Sequence, residues 1–170
     1  MEQSYQTLIS QLLDAAKTAG ASGADAMLAR GQSTSVSVRH GKVESSERSE
    51  DFDIGLRVFV GQQTASISTS QLDPDNIKEL AVHAVAMAKL APEDPHVGLA
   101  TADQLAQHIP KLEIFDPAIP DADSLRQRAS DAEAAALAVN GITNSDGGNA
   151  GYGVVDVLIA TSNGFSAGYQ

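Results

Sequence analysis

A chain of 170 residues with 42% hydrophobic side chains is too apolar for a disordered segment, and it fits one domain, or one domain and part of another. Its net charge of −11 argues against direct binding to nucleic acid, because phosphate contacts rely on Lys and Arg releasing counterions. The lack of cysteine excludes a disulfide framework, Cys-ligated zinc and a thiol nucleophile.

No apolar run approaches the roughly 20 residues of a membrane helix. The polar start Met1-Glu2-Gln3-Ser4 is unlike a secretory signal. No membrane association is expected, and a cytoplasmic location is the default. Much of the apolar fraction is alanine and aromatics are only 4%, so thin layers around a modest core are expected.

In chain order, Tyr5, Leu8, Ile9, Leu12 and Ala16 share one face of an amphipathic helix over 4–19, which Gly20 and Ser22-Gly23 end. Residues 24–29 read as a short buried strand. Thr34, Val36 and Val38 alternate with Ser35, Ser37 and Arg39 as a second strand. His40-Gly41 reads as a two-residue hairpin turn, with the polar residues 42–50 as the return strand.

Phe52, Ile54, Leu56, Val58 and Val60 make the clearest strand. Gly61-Gln62 turns the chain back into 63–69. Asp73 is placed to cap a helix over 74–90, with Pro74 at its first position and Ile77, Leu80, Ala81, Ala84 and Ala88 as its buried stripe.

Residues 92–123 hold five of the 6 prolines and read as an extended connector with one helical turn near 102–107. A helix over 124–139 follows, with Leu125, Ala129, Ala132, Ala136 and Val139 as its stripe. Residues 142–145 read as a short strand. From Tyr152 to Thr161 the pattern is a central strand, and Asn163-Gly164 turns it into a return strand starting at Phe165. The chain stops inside that strand pattern, which reads as a segment of a longer protein. The fold class expected is α+β, an antiparallel or mixed β-sheet of about five to seven strands with helices packed mainly on one face.

No catalytic constellation is found. His40, His83, His96 and His108 lack the neighbouring Glu and second His of a helical zinc pair, so no metal site is expected. Asp146-Gly147-Gly148-Asn149 lacks the bidentate Glu of a calcium loop and reads as a turn. Gly148, Gly151 and Gly153 do not have dinucleotide-loop spacing, and no Gly-Lys-Ser/Thr follows Gly20. The serines between Ser33 and Ser49 have no base and orienting group in evident reach. The acidic run Glu44, Glu47, Glu50, Asp51 and Asp53 reads as a solvated strand edge that discourages aggregation; attraction of a basic partner is the second reading.

The order of elements carries a resemblance. Val36-Ser37-Val38 leads to His40-Gly41-Lys42-Val43-Glu44, then to Gly55-Leu56-Arg57-Val58-Phe59-Val60-Gly61. A helix opened by Asp73 follows, and much later Ala160-Thr161-Ser162-Asn163-Gly164. Over nearly its whole length the chain resembles the N-terminal region of the PmbA/TldD family, the modulators of DNA gyrase. The Ala-rich helix and the Thr-Ser-Asn-Gly turn place it nearer the PmbA/TldE branch.

The resemblance implies chains roughly two to three times this long, in line with multidomain size. It implies a proteolytic system that matures peptide antibiotics and removes an antitoxin. In that system a TldD-like paralogue carries a His-Glu-x-x-x-His motif and pairs with a PmbA/TldE-like partner that lacks it.

Residues 1–170 are accordingly expected to form a non-catalytic PmbA/TldD-like N-terminal domain that pairs with a TldD-like paralogue and helps enclose a peptide or unfolded protein substrate. No cofactor is expected in these residues, and zinc is expected only in a parent complex. The polar strand 42–50 is the candidate edge for strand addition. Two other readings stand beside this one: a self-contained enzyme, against which the missing motif argues, and a regulatory binder of gyrase or of a toxin–antitoxin pair.

Overall fold

A computed structural model describes residues 2–71 and 73–170. Three helices and five strands follow one another as α1 (Glu2–Ala19), β1 (Gly23–Arg39), β2 (Lys42–Val60), β3 (Gln63–Thr69), α2 (Pro74–Ala88), α3 (Ala122–Leu137), β4 (Gly148–Thr161) and β5 (Ser166–Tyr169). The strands form one sheet in the order β3-β2-β1-β4-β5. The α+β class expected from the sequence is the class observed.

Local chemistry sets the element ends. Gly20, at φ +106°, lets Ala21 N–H reach back to Ala16 O at 3.0 Å, which closes α1. Asp73 and Asp121 cap α2 and α3 by accepting from Asn76 N–H at 2.9 Å and Ser124 N–H at 2.7 Å. Both His40 (φ +51°) and Gly41 (φ +71°) are left-handed, the geometry of a type I′ turn, whose twist suits a tight hairpin. β3 pairs antiparallel with β2 from Ile54↔Thr69 to Val60↔Gln63. β5 pairs antiparallel with β4 from Val157↔Tyr169 to Ala160↔Ser166.

The chain divides into two units. The first comprises residues 1–30, 52–112 and 156–170, of which the described residues carry the larger core. Ile9, Leu12 and Ala16 of α1 and Ile77, Ala81, Ala84 and Ala88 of α2 bury against Ala24, Ala26 and Leu28 of β1 and Ile54, Leu56 and Val58 of β2. Alternation along the strands puts these positions on one side, and the helical stripes match those read from the sequence. The connector is tied down in this unit. Asp94 N–H donates to Gln62 O at 2.8 Å, Gln63 Nε2 donates to Ala91 O at 2.6 Å, and Asn163 Nδ2 donates to Ala100 O at 2.8 Å.

The second unit comprises 31–51 and 113–155. Its core is small: Val36 and Val38 of β1 with Leu125 and Ala129 of α3, flanked by Ala150 and Tyr152.

Several expectations are corrected. Residues 24–29 and 34–38 are parts of one strand, as are 42–50 and 52–60, because backbone pairing carries the chain through Gly31 and Asp51 where the side-chain pattern fails. Residues 142–145 form no strand, and 102–107 hold a turn, closed by Gln104 N–H to Thr101 O at 2.9 Å, but no helix. The buried stripe of α3 is Leu125, Ala129 and Glu133, four residues apart; Ala132, Ala136 and Val139 are exposed.

Candidate functional site

The open edge of β2 and the hairpin that presents it form the candidate site. β3 begins to pair with β2 only at Ile54, so among the described residues the outer edge of 42–51 has no strand partner. Among the described residues, no backbone–backbone hydrogen bond from outside the strands reaches 42–51. Such an edge presents a row of free N–H and C=O groups. The polar strand singled out from the sequence is therefore the edge found here. Its side chains are exposed apart from half-buried Ser45.

Glu133 fixes the hairpin tip. At 3% exposure it is the only buried charged side chain among the described residues. Its Oε1 accepts from His40 N–H at 2.8 Å and its Oε2 from Gly41 N–H at 3.0 Å. A two-residue turn leaves these donors pointing outward, and one carboxylate satisfies both. The amides of Gly41 and then His40 hold the Glu133 carboxyl below its ordinary value against the opposing effect of desolvation, with further help from the Ser145 hydroxyl and the His40 charge.

The approach of α3 needs glycine. A Cβ on Gly148 would collide with the Ala129 carbonyl, and one on Gly147 (φ +109°) would stand 2.6 Å from Val38 O. The turn expected over Asp146–Asn149 is corrected: Asp146 and Gly147 are an irregular lead-in beside the hairpin, and Gly148 and Asn149 already open β4.

Along the edge, Arg39 reaches Glu44 and Asp146 at 3.8 Å each, and Arg48 donates to Glu50 at 2.6 Å. On the strand face, Asn149 Nδ2 and Ser45 Oγ each donate to Ser37 Oγ at 3.1 Å, so these polar side chains hold one another. Ser49 Oγ donates to the exposed Asp51 carboxylate at 3.0 Å, an acceptor two residues away in the same strand; the arrangement offers backbone recognition rather than nucleophilic chemistry.

His40 is exposed at the turn, His83 on α2, and His96 and His108 in the connector. The structure brings none of them together. Among the described residues no three His, Asp or Glu side chains are grouped to hold a metal ion. Nor is any described helix long and apolar enough to cross a membrane.

Sequence reasoning missed Glu133. The available signal was its place eight residues after Leu125 and four after Ala129, on the buried side of α3, but a carboxylate there reads as solvent-facing until the turn donors are located.

Comparison with known proteins places the chain. Residues 24–88 match PmbA/TldA metallopeptidase domain 1. The chain is 37% identical over 147 residues to the metalloprotease PmbA homolog of Haemophilus influenzae, covering 86% of this chain and 32% of that protein. It is 35% identical over 150 residues to metalloprotease PmbA of Escherichia coli O157:H7, covering 86% of this chain and 33% of that one. It thus spans about a third of the length of these curated relatives.

Two solved structures share the fold. A Bacteroides thetaiotaomicron protein assigned as a modulator of DNA gyrase superposes with a TM-score of 0.88 at 21% identity, over 96% of this chain and 38% of that one. TldE from Thermococcus kodakarensis superposes with a TM-score of 0.76 at 15% identity, over 95% of this chain and 36% of its own. Over the segment compared, the chain belongs to the PmbA/TldD family.

Proposed function

We propose that this chain is a non-catalytic scaffold layer of a TldD/TldE-like metallopeptidase system, on the PmbA/TldE side, which pairs with a TldD-like paralogue and helps enclose an unfolded peptide. The carrying observation is the unpaired edge of β2 at 42–51, in a chain whose curated relatives are named metalloproteases. A free edge binds extended polypeptide through main-chain hydrogen bonds, which are indifferent to sequence. Glu133 supports this role by holding the hairpin at one geometry without occupying the edge.

Mixing the purified chain with a TldD-like paralogue and an unfolded peptide tests the reading. The chain alone leaves the peptide intact with or without zinc, and it co-elutes with the paralogue in size-exclusion chromatography. Zinc-dependent cleavage by the chain alone would overturn the non-catalytic role, and failure to co-elute would overturn the pairing.

A second reading has an observation of its own: the similar Bacteroides thetaiotaomicron structure carries a name that refers to modulation of DNA gyrase. Under that reading the partner is gyrase protein rather than DNA, given the net charge of −11. A pull-down with purified gyrase subunits separates the two.

A further inference from the structure

The open edge of β2 carries a charge pattern with its own symmetry. Along one face of 42–51 the side chains are Lys42, Glu44, Ser46, Arg48 and Glu50, because strand residues alternate between faces. Read outward from Ser46 the signs are opposite at each step: Glu44 against Arg48, then Lys42 against Glu50.

An antiparallel strand related by a two-fold axis through Ser46 would therefore set Glu44 opposite Arg48 and Lys42 opposite Glu50, each pair formed twice. On the other face Val43 would meet Ser49, and Ser45 would meet Glu47. No like charges would face one another.

Neighbouring registers lack this property. Centring on Ser45 opposes Lys42 to Arg48. Centring on Glu47 opposes Glu44 to Glu50 and Glu47 to itself. Centring on Glu44 or Arg48 opposes that residue to its own copy. Opposite charges across a strand pair stabilise it and like charges destabilise it, so the pattern selects one register.

We propose that the β2 edge docks a second copy of this chain, antiparallel and in register about Ser46. Each copy presents the same surface, which is the isologous arrangement of a closed two-fold dimer. The carboxylates that keep the edge from promiscuous pairing then choose its partner. The proposal rests on the edge being a docking surface, as the proposed function does, but not on the metallopeptidase assignment.

Two experiments on the whole chain test it. The chain contains no cysteine. Ser46→Cys therefore places one thiol beside its own copy, at a Cα separation a disulfide accepts, and should cross-link about tenfold faster under mild oxidation than Ser45→Cys, whose copy lies elsewhere. Equal rates would refute the register.

Sedimentation should show a dimer that Arg48→Glu dissociates and that Glu44→Arg combined with Arg48→Glu restores. A chain that stays monomeric, or a double variant no better than the single one, would overturn the proposal. A monomer that still joins a TldD-like subunit would sink the self-pairing alone.

Discussion

The two units solve the same packing problem with different means. In the first, two helices and the sheet close around leucine, isoleucine, valine and alanine, with the Tyr5 and Phe52 rings in tilted contact at 5.8 Å between centroids. In the second, a single helix covers Val36 and Val38 with little more than Leu125 and Ala129. There a buried carboxylate on two turn amides supplements the apolar contact. The first unit derives its stability from buried area, which is tolerant of detail. The second relies on a few close fits: Gly148 against Ala129, and Glu133 under the hairpin. The unit with the thinner core is the one that presents the open edge, and surfaces that engage partners are commonly drawn from less stable regions.

Substitutions can break or sharpen this contrast. The largest effect is expected in the first unit: Leu56→Ala, fully buried, should lower stability by about 4 kcal/mol in denaturant titration. Leu125→Ala in the second unit should cost about 3 kcal/mol, with amide protection lost mainly in 31–51 and 113–155. Uniform loss across both units would erase the distinction. Gly148→Ala should cost about 2 kcal/mol, because the Ala129 carbonyl is backbone and must shift. Asp121→Ala removes the cap of α3 and should cost about 1 kcal/mol.

Glu133→Gln gives a difference that depends on pH. The folded-state carboxyl lies below its ordinary 4.5, so its contribution is complete above that value and is lost as pH falls through the folded-state pKa. Thermal melts of the two proteins should differ above about pH 5 and converge in stronger acid. A gap that widens on acidification would contradict the Glu133 carboxylate's hold on the His40 and Gly41 amides.

Much of this was legible in the residues. Ile54, Leu56 and Val58 announce a half-buried strand by alternation, and the stripe of α2 reads correctly at every position. Long strands were less legible, since β1 and β2 each contain a stretch where side chains lose their period and only backbone pairing continues. Residues 142–145 have strand-like side chains but form no strand.

The stripe of α3 was misread because alanine is indifferent to exposure, whereas the true third position is a carboxylate whose partners, the His40 and Gly41 amides, lie far away in sequence. The charges of 42–51 were visible as a run. Their pairing sense needed the sheet order, which shows that this stretch has a free side.

The account depends most on that free side being used. Amide hydrogen exchange along β2, measured over a range of protein concentrations, tests it directly. The outward amides of 42–51 should exchange fast in dilute solution and slow as concentration rises, while 54–60, held between β1 and β3, stay protected throughout. Protection of 42–51 that ignores concentration, or that appears on a different strand, would contradict the account.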